Sequence, residues 1–306
     1  MEHHDVVIIG GGPAGLTAAW ELSKSGVRDS VVLEREVEAG GIPRHCGHVG
    51  FGFFTSKSHL TGPKFAKRLR EVTKHIDVRT SATVLEFTLR GNLRVHTAKG
   101  ISEMSAGKIV LATGTRESSR AARLIGGNKI AGVMNTGELQ QRVYLGGEKP
   151  FSRPVIVGSE WVSFSSLLTC RHAGIKPAAM ITEQATLNAP AYFGLGAKLL
   201  FGVPLIRNAK LLAIHGQGKV EALEILRNGK TEMLACDGVI ISGNFRSESA
   251  LYGAGFLETN GHAPKITERF KTSRRDIYAV GNVLGHLETA AVCMQQGRDL
   301  AAMLAQ

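Results

Sequence analysis

Gly10, Gly12 and Gly15 stand in the spacing G-x-G-x-x-G, directly after the apolar run 6–9 and directly before a stretch of helical periodicity. In that setting each glycine has a steric task. The first makes a tight turn, the second lets backbone approach a pyrophosphate, and the third lets helix pack closely on strand. The helix N-terminus then offers free N–H groups and a positive dipole end to the phosphates. Glu34, 24 residues past Gly10, ends the next apolar run. There a carboxylate can accept both hydroxyls of a ribose. Glycine spacing alone would suit a structural turn equally well. With strand, helix and Glu34 in place it points to an adenine dinucleotide.

A second, altered copy of the pattern follows the apolar run 155–157. Gly158 keeps the turn, but Glu160 replaces the middle glycine and Ser163 the third. A carboxylate at 160 would sit where two phosphate charges belong. Glu183, 25 residues past Gly158, counts out opposite Glu34 and would favour NADH over NADPH. Gly158, Ser163 and Glu183 therefore mark either an NAD site or a βαβ unit kept for its architecture.

His45, Cys46 and His48 are the candidate catalytic groups, since they follow the glycine pair 40–41. A redox Cys46 would need an external thiol or a sulfenate cycle, because no second cysteine is near in sequence. The alternative is a structural thiol. Either histidine could move a proton, or be a satisfied polar residue of a loop. Arg116 could bind an anion or form a surface ion pair. The four cysteines, at 46, 170, 236 and 293, form no C-x-x-C. A disulfide framework, a zinc site, an iron–sulfur cluster held by this chain alone and a dithiol couple are thereby excluded, and no metal is expected.

These groups must be held by two strand–turn–helix units about 150 residues apart. The first helix is expected over 13–25 and the second over 160–172, with Gly26 and Gly174 as stops. Each unit returns to an apolar strand, at 30–33 and 178–181. A meander is expected over 76–113, with turns near Arg90, Gly91 and Asn92 and at Lys99 and Gly100. Its counterpart covers about 203–241, with strands expected at 211–215, 220–227, 231–236 and 238–241. The expected class is α/β: two doubly wound Rossmann-like domains, each with a small antiparallel meander. Trp20 and Trp161, on the two helices, are expected to pack inside, as is Cys293 in a last helix at 290–303.

Net charge is +11, hydrophobic content 43% and charged content 21%, the balance of a globular protein. The basic run Lys64, Lys67, Arg68, Arg70 and Lys74 is interleaved with Phe65, Leu69 and Val72 at helical spacing, which reads as a solvated helix face or, alternatively, as a surface for an acidic partner subunit. No nucleic-acid module accompanies it. No apolar run is long enough for a membrane span, and no leader is evident, so the cytoplasm is expected.

The sequence resembles the flavoproteins with two dinucleotide-binding domains, which include thioredoxin and disulfide reductases. The likeness rests on residues 10–15, Glu34, ATG at 112–114 and YAVGN at 278–282. It implies FAD, with Gly10, Gly12, Pro13, Ala14, Gly15, Glu34, Arg35, Gly41, Ile42, Val84, Ala112, Thr113, Gly114, Gly281, Asn282, Thr289 and Ala290 around it. Asn282 stands where these proteins usually carry Asp. The helix opened by ETA at 288–290 would aim its N-terminus at the flavin pyrimidine ring, stabilising charge on the reduced form.

The strings GGIPRHCGH at 40–48, LTGPK at 60–64 and GTRE at 114–117 look more specifically like the FAD/NAD-type subunits of bacterial amine and amino-acid dehydrogenases. Opine oxidase, hydroxyproline dehydrogenase and hydrogen cyanide synthase are of this kind. Oxidoreductases associated with glycerol-3-phosphate dehydrogenase are similar too. The expected organisation is an FAD domain over 1–117 and 247–306, with an NAD(P)-type domain, 118–246, inserted. The expected function is FAD-dependent electron transfer to or from NAD(P)H or a second redox or dehydrogenase subunit. The alternative is a non-catalytic assembly subunit, and homo-oligomerisation is compatible with either.

Overall fold

The structure, a computed structural model, describes residues 1–52, 60–88, 92–190, 192–253 and 255–306. Arg90 and Gly91 of the expected turn lie outside these. The chain forms two compact units. Unit 1 comprises Met1–Arg44, Val49–Arg116 and Arg246–Gln306; unit 2 comprises His45–His48 and Glu117–Phe245.

Unit 1 begins with β1 (Glu2–Ile9), α1 (Pro13–Lys24), β2 (Ser30–Leu33), α2 (Gly62–Val72), β3 (Asp77–Arg79), β4 (Thr83–Phe87), β5 (Leu93–Thr97) and β6 (Gly100–Leu111). One sheet runs β3-β2-β1-β6-β5-β4, with Ile277–Ala279 also on β6. The first half of β6 closes an antiparallel meander with β5 and β4. Its second half lies parallel to β1 and to Ile277–Ala279. Both faces are covered, which is why β1 reads as a continuous apolar run rather than an alternating one. Val6 and Ile8 enter the core shared with α1, α2 and the C-terminal helix Ala290–Leu304. Val7 and Ile9 enter the core on the meander side. Pro13 starts α1, and Gly26, at φ +89, follows its C-cap. Gly297 lets the C-terminal helix cross α1 closely: a Cβ there would lie 2.5 Å from the Ala14 carbonyl oxygen.

Unit 2 repeats the plan with β7 (Val133–Asn135), α3 (Thr136–Tyr144), β8 (Val155–Val157), α4 (Trp161–His172), β9 (Ala179–Ile181), α5 (Tyr192–Phe201), β10 (Leu205–Ile206), β11 (Ala209–His215), β12 (Ala222–Arg227), β13 (Lys230–Ala235) and β14 (Val239–Ile241). Its parallel sheet has the order β7-β14-β8-β9-β10. Ile156, Met180 and Ile240 face the helices, whereas Val155, Ile181 and Val239 face the antiparallel meander β11-β12-β13.

Four details depart from the sequence reading. The run 238–241, counted with the meander, is β14 in the parallel sheet. Trp161, expected inside, is 58% exposed at the first position of α4. On α2, Lys64, Lys67 and Arg68 are exposed, but Arg70 turns in to donate to the Ala39 carbonyl (2.9 Å). His45, Cys46 and His48, counted in the FAD domain, cluster with unit 2. There Gly47 sits against the Tyr144 ring so closely that any side chain would overlap it.

Candidate dinucleotide site

In unit 1 the parallel pairing of β1 with β6 brings two turns together at their carboxyl ends. Gly10 adopts φ +112 and donates its N–H to the Leu33 carbonyl (2.8 Å). A Cβ at Gly10 would overlap the Ala112 carbonyl oxygen, and one at Gly15 the Gly10 carbonyl oxygen. Only glycine satisfies the conformation and the contact at position 10. Gly12, the N-cap of α1, differs. Its φ of −83° and ψ of −174° suit any residue, and the nearest atom to an added Cβ is the Gly41 Cα, 4.0 Å away. The groove in front of the helix N-terminus is open, bordered by Gly41 and by the first-turn N–H groups, which have no intrahelical acceptor.

Around this groove stand most of the residues that the sequence singled out. Glu34 is buried, its Oε2 accepting from Gly11 N–H (2.8 Å) and its Oε1 from Glu36 N–H (2.9 Å). Glu248 closes the turn 112–114: its N–H donates to the Gly114 carbonyl (3.0 Å), and Thr113 Oγ1 donates to its carbonyl (3.3 Å). Its carboxylate lies 3.8 Å from Arg35 and 3.7 Å from Arg116, so Arg116 forms an ion pair. Sequence reasoning missed Glu248, because its partners are far away along the chain.

Gly281, at φ +82, abuts Ala14, where an added Cβ would meet the Ala14 Cβ at 2.9 Å. Asn282 accepts from Glu288 N–H (2.8 Å) and Cys293 Sγ (3.3 Å) and donates to the Glu288 carbonyl (3.3 Å). An aspartate could not make that donation, which gives a physical account of the amide. Thr289 caps the last helix and Ala290 begins it. Ile42 opens the short turn Ile42–His45. Val84, on β4, packs on the meander-side core, outside this chain of contacts. The donors and the open groove fit FAD: glycine stands wherever a Cβ would fill the cradle.

Unit 2 answers the same test differently. Gly158 takes φ +138 and donates to the Ile181 carbonyl (2.9 Å), as Gly10 does to Leu33. Glu160 is the N-cap of α4, the position of Gly12. Its carboxylate folds back to accept from Ser159 N–H (3.0 Å) and Ser163 Oγ (3.1 Å). The matching registers Ile9↔Leu33 and Val157↔Ile181 put Thr182, not Glu183, opposite Glu34. Thr182 Oγ1 contacts Ser159 Oγ (3.2 Å) and accepts from Gln184 N–H (3.3 Å), repeating the Glu34 pattern with a hydroxyl. Glu183 is exposed.

Cys46 is buried and its thiol donates to Gln140 Oε1 (3.4 Å). Burial, with the Glu117 carboxyl nearby, pushes it up to about 12. Burial likewise raises Cys170 to about 12, and Cys236 and Cys293 to about 11. At pH 8 a thiol raised to about 12 is ionised at only about one part in ten thousand. Ellman's reagent at pH 8 is therefore expected to find none of the four thiols in the first minutes on native protein, and all four in urea. A fast equivalent abolished by Cys46→Ser would show a reactive thiol instead. His45 is buried and His48 half-buried, both in the segment beside Tyr144.

Comparison with known proteins agrees with this architecture. Thioredoxin reductase of T. acidophilum superposes with a TM-score of 0.80 at 21% identity, covering 100% of this chain and 98% of that one. An opine oxidase subunit of Rhizobium meliloti is 27% identical over 93% of this chain and 59% of its own length. The hydrogen cyanide synthase subunit HcnB of Pseudomonas protegens is 30% identical over 71% of this chain and 48% of its own. The alpha subunit of sarcosine oxidase from Rhizobium meliloti is 25% identical, and the match spans 24% of its length. The chain thus corresponds to a part of these longer relatives. No helix among the described residues is long and apolar enough to cross a membrane. The model of the pyridine nucleotide-disulphide oxidoreductases, which use FAD and NAD(P)H, matches residues 4–297. With two doubly wound units and this match over most of its length, the chain belongs to that family of FAD-dependent oxidoreductases.

Proposed function

We propose that this chain is the flavin-bearing, electron-carrying component of a multi-subunit dehydrogenase acting on amines or amino acids. The observation that supports the reading is a glycine-lined groove that fits FAD, on a chain whose four cysteines are all free and buried. A dithiol couple of its own is therefore not the flavin's electron partner. The similarity to the opine oxidase chain and to HcnB, both subunits by name, supports a partner polypeptide in that place.

Gly10, Gly12, Pro13, Ala14 and Gly15 would hold the pyrophosphate, and Glu34 a ribose, with Arg35 at the outer edge. Gly41 and Ile42 would border the groove opposite the helix. Ala112, Thr113 and Gly114 would line it beside β6, and Gly281 and Asn282 would hold the ribityl chain. The capped helix end at Thr289 and Ala290 would place N–H groups and a positive dipole near negative charge. When bound, FAD supplies a carrier able to take up or release a hydride equivalent.

Purified protein should carry FAD in a stoichiometric amount, visible as a band at about 450 nm. From the native host it should copurify with a second redox polypeptide whose amine or amino-acid substrate bleaches that band without oxygen. A colourless protein with no nucleotide in its denatured supernatant would end the flavin reading; a yellow protein isolated alone and inert to all such substrates would end the complex reading.

A further inference from the structure

The carboxylate of Glu160 sits at a place that unit 1 keeps empty. Both units build the same turn: strand, glycine at positive φ, N-cap in extended conformation, helix. At the N-cap of α1 stands Gly12, with nothing nearer to an added Cβ than Gly41 Cα at 4.0 Å. At the N-cap of α4 stands Glu160, whose side chain turns back over Gly158 and Ser159. A Cβ at Gly158 would meet Glu160 Oε2 and Ser163 Oγ at 2.8 Å and the Ser242 carbonyl oxygen at 2.9 Å. From the turn after β14, Gly243 faces the same carboxylate so closely that any side chain would overlap it. That turn is held firmly: Gly243 N–H donates to Glu117 Oε1 (2.8 Å), and Arg123 donates to the carbonyls of Ser242 (2.9 Å) and Gly243.

We infer that Glu160 is a built-in anion filling the pyrophosphate position of the second fingerprint, so that unit 2 binds neither NADH nor NADPH. Three consequences of position support this. The carboxylate already uses the Ser159 N–H and the Ser163 hydroxyl, two donors at the mouth of the helix. It brings a negative charge to a place that would have to receive two more. Independently, Thr182 replaces the acid that would bind an adenosine ribose, and it is tied to Ser159 and Gln184. A dinucleotide would have to displace Glu160 from its donors before gaining any of them. The flavin of the proposed function then exchanges electrons with a protein or another small carrier and not with a nicotinamide. The inference rests on that reading for its electron partner but not for the closed site, which concerns unit 2 alone.

Direct binding tests it without reference to flavin chemistry. NADH and NADPH are titrated into the purified chain by calorimetry, with circular dichroism as a check of folding and FAD content measured separately. The wild type should show no saturable binding of either up to about 1 mM, and neither should bleach the flavin anaerobically. Glu160→Gly should gain at least about tenfold in affinity for one of them. Glu160→Gln, which removes the charge and keeps the bulk, should gain less. A wild-type Kd below about 100 µM for either nucleotide overturns the inference, as does a folded Glu160→Gly with no gain. Should Glu160→Gly not fold, the wild-type titration and Glu160→Gln still decide it. Absence of FAD would defeat the proposed function and leave the titrations of unit 2 intact.

Discussion

Replacing Gly12 by glutamate is expected to leave the chain folded and to strip it of FAD. Position 12 tolerates a side chain as few fingerprint glycines do, because its backbone is extended and the space before it is open. The new carboxylate would lie at the N-terminus of α1, where its charge suits the helix dipole. Stability without cofactor should therefore change by no more than about 0.5 kcal/mol. The same charge would compete with the pyrophosphate for the first-turn N–H groups and repel it. A loss of at least about a hundredfold in FAD affinity is expected, equivalent to roughly 2.7 kcal/mol. Reconstitution of apoprotein with FAD, followed by the change in flavin fluorescence, measures it directly. Gly10→Ala would look similar in colour but for another reason, since φ +112 and the Ala112 carbonyl exclude a Cβ and the turn itself must deform. The comparison of apoprotein stabilities separates the two. A yellow Gly12→Glu with a full complement of FAD would show that the groove at α1 is not the pyrophosphate site.

The glutamate variant of unit 1 imitates what unit 2 carries by nature, and the pair shows what a sequence can and cannot say. Strands with both faces buried read as unbroken apolar runs, so β1, β2 and β8 were visible, and glycines marked both helix ends. Counting residues then misled at Glu183. A count from Gly158 cannot see loop length, whereas the strand registers place Thr182 opposite Glu34. The identity of Glu160 was plain in the sequence, but its direction was not. That the side chain folds back onto Ser159 and Ser163 depends on Gly243, just past a strand some 80 residues away. Cys46, which follows a glycine pair beside the fingerprint, reads in the sequence as either a redox or a structural thiol. Burial against Gln140, which no local pattern announces, pushes its thiol up to about 12. Arg70 departs from its helical face for the same kind of reason: periodicity assigns a side, and the Ala39 carbonyl across from it draws the guanidinium in.

Glu117 carries the second large expectation, and its place at the end of the string GTRE says nothing of the two donors that it holds. Its carboxyl is buried, with Oε2 accepting from Gly137 N–H (2.8 Å) at the first turn of α3 and Oε1 from Gly243 N–H (2.8 Å). One side chain thus ties the start of α3 to the turn after β14. Glu117→Ala would leave two backbone donors without acceptors, at about 1–3 kcal/mol each, so a loss of roughly 2–5 kcal/mol is expected. Urea unfolding followed by circular dichroism should show it as a lower midpoint. Glu117→Gln keeps one acceptor and turns an amide donor toward the other N–H, for a loss of about 1–3 kcal/mol. The two variants also differ from the wild type in their response to pH. Burial raises the Glu117 carboxyl above the usual 4.5, outweighing the two backbone N–H groups that favour its charge. A folded-state value above the unfolded one means that the native protein binds the extra proton. The contribution of that proton is fully present below about pH 4.5 and is lost as pH rises through the raised value. The margin of wild type over Glu117→Gln should accordingly narrow from pH 4.5 toward pH 8. A margin that widened over that range would mean that the N–H donors, and not burial, dominate this carboxylate.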